Sequence, residues 1–118
     1  MQQYRRIDRL GDQIREEIAD IIARKLKDPR VGFVTVTAVY VSEDLRHAKV
    51  FVSIYGDEKT QAETMKGLNS AAGFVKGEIG RRIKIKFTPD IVFKQDTSLE
   101  EAAHVLDILD HIKKEEDE

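Results

Sequence analysis

FVTVTAVYVSEDLRHAKVFVSIY, Phe33 to Tyr55, is two alternating, β-branched runs joined by a short polar link. Branching at Cβ suits the pleated backbone, and the period of two sends successive side chains to opposite faces. Ser42 to Leu45 is too short to cross a sheet, so the runs Phe33–Val41 and His47–Tyr55 are predicted to pair as an antiparallel hairpin. In the second run, Ala48, Val50, Val52 and Ile54 share the core face, and His47, Lys49 and Ser53 share the other.

Outward from the hairpin the period changes. Upstream, Ile7, Leu10, Ile14, Ile18, Ile21 and Ile22 fall at three-and-four spacing within Tyr4–Leu26, which predicts a long amphipathic helix. Asp28-Pro29 stops it, because the residue before proline is pushed out of helical geometry. Downstream of Gly56-Asp57, Ala62, Met65, Leu68 and Ala72 line one helical face; Gly73 interrupts it, and Phe74, Val75, Ile79 and Ile83 resume it. IKIKF, Ile83–Phe87, then alternates with period two and is expected to be the third strand. That places Ile83, Ile85 and Phe87 inward, Lys84 and Lys86 outward, and a bulge or edge at Pro89. Finally, Ser98 and Glu101 have capping-box spacing at the start of a helix. Leu99, Ala102, Val105, Leu106, Leu109 and Ile112 supply its apolar stripe. The expected fold is α+β: a three-stranded sheet packed on helices at one face, with a further C-terminal helix.

A chain of 118 residues supports one core, so a single domain over 1–118 is expected, with a short charged end at 113–118. Cysteine is absent, which removes disulfides and thiolate metal sites. The N-terminus has no apolar run behind its charges, and no segment reaches the roughly 20 apolar residues of a membrane span. Cytoplasmic placement is expected. Net charge is +4 over residues 1–97 and −6 over 98–118, a basic body with an acidic end.

Catalysis finds little material. None of His47, His104 and His111 neighbours a glycine-flanked serine. His104, Asp107 and His111 have helical offsets that metal ligands share, but a helix this acidic produces them by chance. No enzyme, metal or cofactor is expected. The glycines of Asn69–Phe87 lack the Gly-Lys-Ser/Thr of a nucleotide loop. Gly77-Glu78-Ile79-Gly80 matches Gly-x-x-Gly, but Glu78 would repel phosphate, so it reads as helix interior. Gly73 is different: small residues at Ser70–Gly73 let two helices meet at a bend, and the helix that begins there offers free amides. Lys76, Arg81, Arg82, Lys84 and Lys86 follow. The residues alone leave two readings open, a phosphate-binding bend or a glycine stop before a solvated basic strand.

KDPRVGFVTVT (Lys27–Thr37), DLRHAKVFVS (Asp44–Ser53), AAGF (Ala71–Phe74) and FKQDTSLEE (Phe93–Glu101), in that order, resemble the ribosome-binding factor A family. The resemblance covers about Arg9 to Ile112. It implies a type II KH-like domain in which an Ala-x-Gly bend, here Ala71-Ala72-Gly73, stands in for the KH loop. It further implies association with free small (30S) ribosomal subunits, assistance to late 30S maturation, and processing of 16S rRNA near its 5′-terminal helix, as a monomer without enzymatic activity. The rRNA-binding residues are then expected to be Ala71, Gly73, Lys76, Arg81, Arg82, Lys84 and Lys86. Arg5, Arg6, Arg9, Lys25, Lys27 and Arg30 form a secondary set. An alternative is a protein–protein adaptor whose acidic last helix docks a basic ribosomal protein. A general single-strand binder would need exposed aromatics, for which Tyr40, Tyr55 and Phe51 are the candidates.

Overall fold

A computed structural model of the chain describes residues 6–116, and the side chains of all of these except 99–103 and 114–116. The elements are α1 (Arg6–Arg24), β1 (Val34–Val41), β2 (His47–Ile54), α2 (Glu58–Ser70), α3 (Ala72–Arg82), β3 (Asp90–Gln95) and α4 (Ser98–Glu116). The order is the one the periodicities predict. The sheet runs β1-β2-β3, antiparallel between β1 and β2 and parallel between β2 and β3.

The core forms where the two periods meet. Ala48, Val50 and Val52, alternate residues of the central strand, are fully buried against Ile14, Ile18 and Ile21 of α1, Leu68 of α2 and Val75 and Ile79 of α3. Ile91 and Phe93 complete this face from β3. The hairpin closes through Asp44, whose carboxylate accepts from the Ser42 hydroxyl and the Arg46 amide.

Two expectations are corrected. The third strand is not Ile83–Phe87 but Asp90–Gln95, entered through the buried Pro89. A strand parallel to β2 must begin beside its first residue, and His47 pairs with Asp90. Residues 83–89 are therefore spent bringing the chain from the helix layer back to the sheet. Ile83 is buried and Ile85 packs at the core margin along the way, but Phe87 points out. The last helix forms, yet Val105, Leu106, Leu109 and Ile112 of its expected stripe are exposed. The side chains of Leu99, Ala102 and Glu101 lie outside the described residues. At the start of α4, Asp96 accepts from the Ser98 amide and from the Thr37 hydroxyl, at 2.9 and 2.7 Å. Thr37 sits at the irregularity in the β1–β2 register, between Val36 and Ala38.

One buried polar side chain positions the connection from α1 to β1. Thr64 of α2 is fully buried; its hydroxyl donates to the Arg30 carbonyl at 3.1 Å and accepts from the Gly32 amide at 3.3 Å. One turn on, a Cβ built on Gly67 would lie 2.8 Å from the Val31 side chain, so only glycine lets the 28–32 segment lie this close to α2. Thr64→Val keeps the shape but strands a backbone donor and acceptor, which should cost about 1–3 kcal/mol in urea unfolding. Thr64→Ser should recover most of it, and equal losses in the two variants would mean that the methyl group matters rather than the hydroxyl.

Candidate nucleic-acid interface

The bend between α2 and α3 is a single residue, Ala71, at φ −89° and ψ 0°. Its amide donates to the Gly67 and Leu68 carbonyls, ending α2, while its carbonyl accepts from Val75 in the first turn of α3. The opening amides of a helix have no partner within it, and Ala71 has no side chain to cap them. A Cβ built on Gly73 would meet nothing within 4 Å. The start of α3 is thus an open, uncapped patch with the positive end of a helix dipole behind it.

Beside it lies a shallow cleft of about 250 Å³, lined by Lys25, Leu26, Lys27, Asp28, Ser70, Ala71 and Phe74. The clamp of residues 28–32 onto α2 is what brings Lys25 and Lys27 there. Both ammonium groups are without an ion pair among the described residues. Asp28 would oppose an anion, but Arg30 occupies it through Nε at 3.0 Å and Nη2 at 2.7 Å. These bonds, with one from the Arg30 amide, hold the Asp28 carboxyl down at about 2.

The cations of the expected set do not gather on one patch. Lys76 reaches across to Asp90 at 2.6 Å. Arg81 bonds Glu78 one turn back, which confirms Gly77–Gly80 as helix interior. Arg82 lies among Asp20 at 2.7 Å, Glu17 at 3.0 Å and Glu78 at 3.7 Å. The Arg82 hydrogen bond lowers the Asp20 pKa, and the pairing raises that of Arg82. Arg82 is thus a tie between α3 and α1, with little charge left for an outside anion. Lys84 and Lys86 are exposed and unpaired among the described residues, beyond the far end of α3. That is about 16 Å from Gly73 at 1.5 Å per residue. In the secondary set, Arg6 and Arg9 are exposed on the first turn of α1, and Arg5 lies outside the described residues.

A second cleft, of about 280 Å³, was not foreseen. It is lined by Arg46, His47, Lys76, Phe87, Thr88 and Asp90. Its signal in the sequence is Thr88-Pro89-Asp90: proline is tolerated at the first position of a strand, so a strand starting there frees Phe87 from the core. Phe33 and Phe74 are exposed as well, contrary to the expectation that only Tyr40, Tyr55 and Phe51 were available. Among the described residues no group of His, Asp and Glu is placed to hold a metal ion, and no helix is long and apolar enough to cross a membrane.

A family model described as ribosome-binding factor A matches residues 6–109. A ribosome-binding factor A from Halothermothrix orenii is 54% identical over 112 residues, covering 95% of this chain and 92% of the relative. The crystal structure of ribosome-binding factor A from Thermus thermophilus superposes with a TM-score of 0.68 at 26% identity, over 75% of this chain and 93% of that one. A homology model of the Thermus factor, fitted into a cryo-EM map of a 30S complex, superposes with a TM-score of 0.63 at 26% identity, with the same coverage.

The Asp28–Arg30 bond sets a pH dependence. Asp28 has a folded-state value near 2, below the roughly 3.9 of an unfolded aspartate. It therefore stabilises the fold above about pH 4, and that contribution fades as pH falls through 2. The stability difference between the parent and Asp28→Asn should shrink across this window. Carboxyl NMR should show Asp28 titrating near 2; a midpoint near 4 would show that the bond is not kept in solution.

Proposed function

The chain belongs to the ribosome-binding factor A family, and from that premise we propose that it binds free small ribosomal subunits through 16S rRNA. In this reading it assists late 30S maturation and rRNA processing near the 5′-terminal helix, in the cytoplasm, as a monomeric type II KH-like domain. It holds RNA in place and leaves cleavage to a separate nuclease. The fit of the Thermus relative into a 30S complex map supports the choice of partner.

The observation that carries the reading is the conjunction at the bend. Unpaired Lys25 and Lys27 flank a cleft that opens onto the uncapped start of α3 at Ala71–Gly73. Amides at the start of a helix can take a phosphate oxygen by hydrogen bonding, and the two ammonium groups beside it neutralise the backbone on either side. Lys84 and Lys86 extend the track past the end of α3. Arg81, Arg82, Arg30 and Lys76 are engaged within the protein and become supporting groups. A second reading, an adaptor to a basic ribosomal protein, is favoured by the exposed Val105, Leu106, Leu109 and Ile112 on an acidic helix.

Four lysine contacts imply that affinity for subunits falls about a hundredfold between 50 and 200 mM salt. Lys25→Glu/Lys27→Glu should abolish co-sedimentation with 30S subunits at moderate salt while leaving the circular dichroism spectrum unchanged. Lys84→Glu/Lys86→Glu should weaken it less. Retained binding by the first variant would move the interface elsewhere, and loss on removal of 98–118 alone would favour the adaptor.

Gly73→Ala separates fold from function. The methyl enters open space on a helix, so thermal stability should rise by up to about 1 kcal/mol. It also adds bulk at the exposed start of α3, where the backbone of a bound strand is proposed to lie, so subunit binding should weaken. Stronger or unchanged binding would remove the bend from the site.

A further inference from the structure

The second cleft lies at the opposite end of the crossover, where the chain re-enters the sheet. Phe87, 64% exposed, stands at its rim. Arg46 Cζ lies 6.0 Å from the ring centroid and Lys86 Nζ 5.7 Å. Phe87 is not left out for want of core: Pro89 and Ile91, two and four residues on, are buried. The floor is rigid, because the Asp90 amide donates to the Arg46 carbonyl at 2.8 Å and Lys76 bonds the Asp90 carboxylate. A stiff floor therefore presents a bare aromatic ring with flexible cations around it.

We propose that this cleft is a stacking subsite for one unpaired base of a bound RNA strand, taken between the Phe87 ring and the Arg46 guanidinium. This rests on the RNA reading of the preceding subsection and adds to it a base-contacting site, apart from the phosphate-binding bend. Two aromatic stacking distances amount to about 7 Å. The 6.0 Å between Arg46 and the ring needs to open by only about 1 Å, within the reach of an exposed arginine. Lys86 is close enough to meet the phosphate of the stacked nucleotide. Flat π-faces accept any base, so the subsite selects single-stranded from paired RNA and not one sequence from another. The cleft, about 280 Å³ and open, is smaller than the roughly 300–1,000 Å³ of enclosed small-molecule pockets, as suits a base swung out from a strand.

The chain has no tryptophan, so Phe87→Trp installs a single fluorescent reporter at the stacking position. A short oligoadenylate should quench the introduced indole, while a blunt RNA duplex and inorganic polyphosphate should not. By fluorescence anisotropy with labelled RNA, Phe87→Leu should weaken oligoadenylate binding about tenfold and leave duplex binding as in the parent. Oligoadenylate that binds without quenching, and binds the leucine variant as tightly as the parent, overturns the subsite and leaves the bend interface standing. Quenching by polyphosphate equal to that by RNA overturns it too. Failure of the parent to bind any RNA removes both readings together.

Discussion

The parallel pairing of β2 with β3 is the constraint from which both clefts descend. A parallel neighbour cannot be reached by a tight turn, so the chain must cross the sheet and return to the end at which β2 began. Glu58–Arg82 makes that crossing. As one straight helix it would run about 37 Å, while an eight-residue strand is only about 26 Å long. A crossover that stays over the sheet and keeps Leu68, Val75 and Ile79 in the core has to bend. Ala71 and Gly73, which have almost no side chain, are where it does. After the bend, residues 83–89 must descend from the helix layer to the sheet edge. That descent leaves Phe87 outside.

Electrostatics then sorts the surface. Arg82 is separated from Glu17 and Asp20 by more than sixty residues in sequence, yet contacts both carboxylates. Such a pair, partly shielded from water, fixes the angle between α1 and α3 more than it adds to stability, because desolvation offsets much of the attraction. Of the lysines without an ion pair among the described residues, Lys25 and Lys27 lie on the connection after α1, and Lys84 and Lys86 on the one after α3. Connections can present charge outward without any helix face having to neutralise it. In the run Arg81–Lys86, Arg81 is taken by Glu78 of its own helix, whereas Arg82 is held mainly by Glu17 and Asp20 of α1, which local spacing does not reveal.

The same division explains what was legible in the sequence. The hairpin, the stripe of α1 and the two crossover helices are local periodicities, and each appears where the alternation of Val50 and Val52 or the spacing of Ile14, Ile18 and Ile21 puts it. Ile83–Phe87 misleads because two isoleucines packing on the core margin of a descending coil produce the same alternation as a strand. Parallel register decides between Ile83–Phe87 and Asp90–Gln95, and register is a long-range property. The amphipathic pattern of α4 is likewise real, but a pattern states that a face is apolar and not what meets it. Of the candidate site, the bend was readable from Ala71 and Gly73. The neighbouring lysines were placed by Thr64, a buried threonine in the middle of a helix with no local mark of its role.

The acidic end also bears on how the protein meets a polyanion. Residues 98–118 carry −6 against +4 for the rest, so the charge distribution has a direction as well as a size. Near a phosphate-rich surface that dipole turns the basic body inward and α4 outward before any contact forms. The helix begins at Ser98, whose amide donates to Asp96, and Asp96 is in turn tied to Thr37 on β1, so the start of the helix is fixed to the sheet. β1 and β3 are opposite edges of a three-stranded sheet, and Asp96 follows directly on β3. The Thr37–Asp96 bond therefore spans β2 and sets the origin of the acidic helix against the whole sheet. The electrostatic orientation of the molecule is thereby coupled to the register that creates its two clefts.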